Sequence, residues 1–331
     1  MPILGIETLM FGVDDIEECT RFFDDFGLPR FDSGEDFTHY RLDEGSNVIL
    51  RHIDDPVLPK SVLRDKGVKE TIWGVDTQES LDKLAARLEA KQDITRDEDG
   101  TVHTLTACGH PIALRVFNRK KVVYAPDPVN APGAVNRLNV QRKWKIRAQP
   151  KVITHTVYAC ENPRKEFEWY RDMLDFRMSE EQVGMGFYLR CDGANEHHNL
   201  FLIDMTFGPL PGYPLYHHTN FGVEDIDELM IGTNYMTRRG WTTGPLGSGR
   251  HRIASALFSY LECPAGGEAE YGADSDYIDD NWIPREWNQV FGTYSWMHKI
   301  PEFLGTDQRW EYRLHPDHVP QNDTQAEGDW D

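Results

Sequence analysis

Two histidines able to grip a metal recur at matched places along this sequence, and a carboxylate follows them. His218 lies in the apolar, strand-like phrase from Leu215 to Val223 (Leu-Tyr-His-His-Thr-Asn-Phe-Gly-Val), which runs at once into Glu224, Asp225 and a helical pattern. A similar phrase 63 residues earlier (218 − 155), from Thr154 to Cys160, aligns His155 with His218. Side chains alternate across a strand, so His217 is expected on the face opposite His218. A carboxylate comes 52 residues further on (270 − 218), where a turn at Pro264 to Gly267 feeds another strand. Glu268 and Glu270 share a face there, and spacing leaves both open. Two imidazoles and one carboxylate on one side of an ion leave its other side free for reactants, the arrangement of non-haem Fe(II) oxygenases. Nitrogen and oxygen donors without thiolate suit Fe(II) or Mn(II) better than a structural zinc.

Positioning such donors needs strands, and the strands belong to a repeat. Four phrases share one plan of strand, polar cap and amphipathic helix: Glu7 to Gly27, Glu70 to Lys91, His155 to Phe176, and His218 to Gly240. Asp14 or Asp15 caps the first helix, whose apolar face is Ile16, Cys19, Phe22, Phe23 and Phe26, with Gly27 as its stop. Asp76 or Thr77 caps the second. Asn162 followed by Pro163 opens the third, and Asp225 precedes the fourth. Strands are predicted at 38–42 and 47–52, at 103–107 and 111–117, at 185–191 and 199–204, and at 253–262 and 268–272. Each unit thus reads as strand, helix, three strands. A half-sheet of that size cannot bury its apolar face alone, so units pair.

The expected fold class is therefore α+β, four βαβββ modules paired into two domains. Residues 1–117 form the first, 118–150 a Pro-containing linker, 151–290 the second, and 291–331 a C-terminal wrap. In the linker, the basic run Arg142, Lys143, Lys145 and Arg147 is expected as a solvated surface. Trp282, Trp287, Trp296 and Trp310 predict that the chain after Asp274 folds back over the second domain, while residues 320–331 are expected to be disordered. Where the second pair of modules has His155 and His218, the first has Glu7 and Glu70, and Ala113 or Arg115 stands in place of the later carboxylate.

Composition narrows the function. With 331 residues there is chain enough for two cores. The formal net charge of −20 argues against nucleic acid or an anionic membrane as the main partner. Five cysteines without a CxxC pair read as reduced, hence a cytoplasmic setting. No stretch approaches the apolar length of a membrane span, and a homo-oligomer is expected because symmetric assemblies are common among soluble enzymes.

The paired modules together with His155, His218 and Glu270 resemble the vicinal oxygen chelate superfamily and, within it, the type I extradiol ring-cleaving catechol dioxygenases. The likeness spans most of residues 5 to 290. It favours Glu270 over Glu268 as the ligand, through the ending Gly-x-x-x-Glu-Tyr-Gly. His198, in His-His-Asn-Leu-Phe-Leu, matches a histidine of that family beside the reacting centre. His251 and Tyr260, nine residues apart, match a pair lining the substrate site. Pro284 to Trp287 is similar to a C-terminal arginine motif of the homoprotocatechuate enzymes, although Leu246 and Val157 stand where those enzymes have arginine and asparagine.

The resemblance implies cleavage of a catechol-type ring next to its diol, using dioxygen at a mononuclear Fe(II) centre, with Mn(II) as the alternative. The reactants are a small aromatic diol and dioxygen. His198 would handle a proton on the dioxygen side; His251 and Tyr260 would hold the diol. Arg285, Trp287, Arg250 and Asn220 are the candidate substrate contacts, with Tyr158 and Phe201 on the apolar side. The alternatives are a para-diol ring-cleaving dioxygenase, or a glyoxalase-like isomerase or lyase of the same superfamily.

Overall fold

The structure, a computed structural model, describes residues 2–304 and 312–318; Trp310 and the acidic end at 320–331 lie outside them. The first module is β1 (Ile3–Val13), α1 (Ile16–Phe26), β2 (Arg30–Ser33), β3 (Phe37–Arg41) and β4 (Asn47–His52). The second is β5 (Gly67–Val75), α2 (Gln78–Glu89), β6 (Thr95–Arg96), β7 (Val102–Leu105) and β8 (Pro111–Val116). After the connecting segment come β9 (Val152–Cys160), α3 (Pro163–Leu174), β10 (Arg177–Gln182), β11 (Gly186–Arg190) and β12 (Leu200–Asp204). The fourth holds β13 (Leu215–Gly222), α4 (Ile226–Arg238), β14 (Thr243–Arg250), β15 (Leu257–Glu262) and β16 (Glu268–Ala273). The α+β repeat is the one the sequence predicts.

Local chemistry explains the helix limits. Asp15, Thr77, Asn162 and Asp225 each accept a backbone N–H from three residues on, and Pro163 occupies the first turn of α3 where its missing N–H costs nothing. Gly27 ends α1 in the left-handed region at φ 99°.

Two sheets result. In the first the order is β2-β3-β4-β1-β5-β8-β7-β6; in the second the two-module pattern repeats as β14-β15-β16-β13-β9-β12-β11-β10. At each centre the opening strands of two modules run antiparallel, β1 with β5 and β9 with β13, and each is flanked on its other side by a parallel strand. The middle of the second sheet is therefore β16-β13-β9-β12. The two sheets are not separate in the interior: Phe26 stacks on Tyr271 at 4.0 Å, and the Tyr271 hydroxyl donates to the Phe26 carbonyl at 2.7 Å.

Four strands escape the sequence reading: β2, β6, β10 and β14, each the first after its helix. They carry little apolar alternation. β2 is exposed throughout, β10 reads Arg-Met-Ser-Glu-Glu-Gln, and β14 contains three glycines and a proline. Backbone pairing makes them strands; β10 is largely buried, but mostly through polar side chains, which leave no apolar alternation to read. Conversely, residues 253–255, expected as strand, form a tight 3-10 turn with Ala254 and Ser255 at positive φ.

The chain beyond β16 extends both edges of the second sheet. β17 (Arg285–Trp287) pairs with β10, β18 (Trp296–Met297) follows a short α5 (Gln289–Thr293) and pairs with β14, and β19 (Tyr312–Leu314) pairs with β17. The basic run of the connecting segment is not merely solvated. Arg142 binds Asp225 and Asp227, Lys143 binds Glu224, and Lys145 binds Glu224 and Glu228, which docks the run on the acidic first turn of α4.

In the first sheet the positions matching His155 and His218 are closed off by other charges. Glu7 accepts from Asn47 at 3.0 Å and lies 3.4 Å from Arg115, while Glu70 is 2.8 Å from His103, whose other nitrogen is 3.0 Å from Asp97. The hydrogen bond to Glu70 dominates in pushing the His103 pKa up to about 9. Because the folded-state value lies above the unfolded one, the stabilisation is complete below about pH 6.5 and disappears as pH rises through 9. His103→Gln should accordingly lower the melting temperature near pH 6, and the gap to the parent should close by pH 10 in parallel thermal melts; a gap constant with pH would refute the coupling.

Candidate metal centre

β9, β13 and β16 lie side by side, so donors distant in sequence meet. In register, Asn220 of β13 is flanked by His155 of β9 on one side and Glu270 of β16 on the other, with His218 two residues before it. Glu270 Oε2 lies 3.4 Å from both His155 Nε2 and His218 Nε2. One donor atom from each of the three falls within 4.8 Å of the others. All three residues are buried.

The donor set can be tested for fit to a cation on this geometry alone. Glu270 Oε2 is buried and has no hydrogen-bond partner among the described residues. A buried carboxylate oxygen without a donor is costly, and here it faces two imidazole nitrogens at equal distance. A divalent ion among the three would satisfy every one of these atoms, and the mixture of nitrogen and oxygen donors suits Fe(II) or Mn(II). Glu181, Glu286 and His315 form a second cluster of possible donors. There Arg164 and Arg313 already bind the two carboxylates, and the cluster ties β17 and β19 to β10.

Above the three donors opens a cavity of about 160 Å³. His198, His251 and Tyr260 line it on the polar side. The His198 ring is 4.1 Å from that of His155 and its Nδ1 is 3.1 Å from His197 Nδ1. Burial, reinforced by the surrounding imidazoles, holds its pKa well below the ordinary histidine value. His251 Nδ1 meets the Thr293 carbonyl, which can only accept, so Nδ1 carries the proton. Nε2 is then an acceptor for the Tyr260 hydroxyl, 3.2 Å away. Burial lowers the pKa of His251 and raises that of Tyr260 well above the usual phenol, so both stay neutral.

His217 departs from the strand-alternation expectation. The β9–β13 register slips between Tyr216 and His218, a bulge that lets His217 line the same cavity as His218, with their Nδ1 atoms 2.7 Å apart. Burial takes its pKa down to about 4. Glu268 lines the cavity too, and burial followed by repulsion from Glu270 pushes its pKa up to about 8.

The rest of the lining is apolar: Met185, Phe201, Ile203 and Leu246 form part of the wall, and Phe207 and Phe303 close one side. Among the described residues no lysine or arginine lines it. Tyr188, which sequence reasoning passed over, stacks on Phe201 at 3.9 Å and meets His198 edge-on at 5.0 Å. Its alternation against Phe187 and Leu189 in β11 was a usable signal. Phe207 sits on a bend and Phe303 in a single 3-10 turn, Glu302–Leu304, both too short for a periodicity that points inward.

Four expected substrate contacts are placed elsewhere. Arg250 binds Asp274 at 2.8 Å and the Ser255 carbonyl, which braces the turn before β15. Asn220 accepts from the Thr154 hydroxyl at 2.5 Å and does not line the cavity. Arg285 lies 3.4 Å from buried Glu180 and over the Trp282 ring, and Trp287 stacks on Tyr312; both line a separate cleft. The edge pairing of β17 with β10 draws these two away. Tyr158 points to the first sheet, bonded to Thr71.

Residues 152–243 match the Glyoxalase/Bleomycin resistance protein/Dioxygenase superfamily. The similarity to this superfamily lies in the segment from β9 to the start of β14. A relative, Metapyrocatechase 2 of Cupriavidus necator, is 29% identical over 179 residues, which cover 54% of this chain and about half (52%) of that protein. The manganese-dependent 2,3-dihydroxybiphenyl 1,2-dioxygenase of Geobacillus genomosp. 3 is 25% identical over 67% of this chain and 72% of its own length. The crystal structure of the Mn(II)-bound glyoxalase from Novosphingobium aromaticivorans superimposes with a TM-score of 0.69 at 17% identity, covering 93% of this chain and 95% of that one. This last likeness is one of fold, the vicinal oxygen chelate architecture that both chains share.

If the three donors hold one ion, removing any of them should empty it. His155→Ala and Glu270→Ala, each purified after growth with added iron and manganese, are expected to fall at least tenfold in bound metal by elemental analysis. Retention of the parental metal content would exclude the assignment.

Proposed function

We propose that the chain is an extradiol dioxygenase that opens a catechol-type ring beside its diol, with Fe(II), or alternatively Mn(II), held by His155, His218 and Glu270. The observation that carries this reading is the unpartnered Glu270 Oε2 facing two imidazoles beneath a cavity with neutral His198, His251 and Tyr260 around it. The names of the two relatives, a metapyrocatechase and a dihydroxybiphenyl dioxygenase, support it. Such an ion, when bound, would hold diol and dioxygen together and pass charge from the electron-rich ring to dioxygen.

The chain's own residues would do the rest. Nδ1 of His251 is anchored on the Thr293 carbonyl, so its Nε2, which accepts the Tyr260 hydroxyl, would take a diol proton through Tyr260. His198, neutral and close above His155, would steady negative charge growing on the dioxygen side and deliver a proton there. The apolar wall would exclude water and reject a charged substituent, because no cation among the described lining residues could pair with it. The substrate class proposed is thus an alkyl- or aryl-substituted catechol. Five free cysteines fit a reducing cytoplasmic setting, and among the described residues no helix is long and apolar enough to cross a membrane.

The test is an anaerobic preparation loaded with Fe(II), a panel of catechols, then air, with appearance of the yellow ring-opened product as the readout. Alkyl- and aryl-catechols should exceed carboxylated catechols by about tenfold or more in kcat/KM; no product from any diol at full metal content would overturn the proposal. His198→Ala should bind metal and diol normally yet turn over roughly 10²–10⁴-fold more slowly, and turnover at the parental rate would remove its proton role.

A further inference from the structure

Among the polar groups that line the cavity, Glu268 has no part in the chemistry proposed above. It stands two residues before Glu270 on β16, so both side chains leave the strand on the same face, about 7 Å apart at the backbone. Its carboxyl is not a further ligand: the donor atoms that gather within 4.8 Å of one another come from His155, His218 and Glu270. Nor does the protein satisfy it. Glu268 Oε1 is buried and has no hydrogen-bond partner among the described residues.

The donors that share the cavity with it are engaged elsewhere. His198 meets His197 at 3.1 Å, His217 meets His218 at 2.7 Å, the Tyr260 hydroxyl donates to His251, and the Tyr188 hydroxyl donates to Gln182 Oε1 at 2.9 Å. Pro245 of β14 also lines the cavity and has no N–H to offer. The seat of the carboxyl is made by a glycine: a Cβ at position 244 of β14 would collide with Glu268 Oε1, so the strand passes there only because Gly244 has no side chain. Away from the metal donors and the histidines the wall is apolar, with Met185, Phe201, Ile203 and Leu246 in it. A bound molecule therefore meets one unpaired acceptor set in a hydrocarbon surface, the pattern by which a pocket fixes orientation.

We propose that Glu268 is a specificity-determining residue, which accepts a hydrogen bond from an uncharged hydroxyl carried by the substituent of the catechol ring. The inference rests on the ring-cleavage reading and narrows its substrate class, from alkyl- and aryl-substituted catechols to those whose side group bears a hydroxyl. A carboxyl keeps an acceptor oxygen whether or not it holds a proton, so the role does not turn on its ionisation. With the diol at the three donors and the hydroxyl at Glu268, the ring is fixed at two ends. An analogue that lacks the hydroxyl leaves a buried oxygen unpaired, and sites built around such an oxygen discriminate strongly against the analogue.

Hydroxymethylcatechols and ethylcatechols have the same shape and differ in that hydroxyl, which makes them the test pair, with the substituent placed next to the diol or one carbon further. On the Fe(II)-loaded protein in air, kcat/KM for the better hydroxymethyl isomer should exceed that for its ethyl counterpart by about tenfold or more, although the ethyl group is the more apolar. Glu268→Leu should reverse the order, whereas Glu268→Gln, which retains an amide oxygen, should keep most of the preference. A ratio of two substrates on one preparation is not moved by a general loss of folded or metal-loaded protein. Should Glu268→Leu fold poorly, Gly244→Ala displaces the carboxyl from its seat and should bring the ratio towards unity. Ring opening with equal constants for the pair, or a preference that survives Glu268→Leu, would overturn the subsite and leave the ring-cleavage reading standing. Product from neither member, nor from any other diol, would overturn both.

Discussion

A single carboxylate oxygen sets the terms for the centre of the second sheet. Glu270 Oε2 is sealed from water, receives no hydrogen bond among the described residues and stands equidistant from two imidazole nitrogens. Leaving such a group uncompensated in a protein interior costs about 3–5 kcal/mol. The sheet around it is built so that this arrangement is hard to avoid. The opening strands of two modules pair antiparallel at the centre, and the last strand of the fourth module lies parallel beside them. Donors from three neighbouring strands thus converge although residues 155 and 270 are far apart in the chain.

The first sheet, built on the same plan, has settled the matching problem differently. Its acidic pair, Glu7 and Glu70, finds Asn47, Arg115 and His103 within the same sheet, so each carboxylate is compensated by side chains. Identical topology therefore yields a closed ion-pair network in one half and an open-sided donor group in the other. What differs is which residues occupy a few inward positions, in keeping with function residing in sites grafted onto folds.

Much of this was legible in the amino-acid order, because the helices announce themselves through caps and apolar stripes and because a repeat lets one phrase be read against another. His155 and His218 stand out only through that alignment; neither phrase alone distinguishes a ligand from an ordinary strand histidine. The strand after each helix was not legible, since β10 and β14 are held by backbone pairing and carry no alternation. His217 was misplaced because a one-residue bulge overrides period-two reasoning. Arg250, Asn220, Arg285 and Trp287 have residue types suited to holding a ligand, but local partners claim them: Asp274, Thr154, Glu180 and Tyr312 respectively. Such competition depends on tertiary neighbours and leaves no trace in spacing.

The wide separation of the three donors has a consequence for folding. An ion gripped by residues 155, 218 and 270 would close loops of 63 (218 − 155) and 52 (270 − 218) residues, and cross-links that span long loops restrict the denatured chain most. Its grip would then act as a removable staple across the whole second sheet: occupancy would be felt in how rarely the chain opens as well as in what its cavity can do.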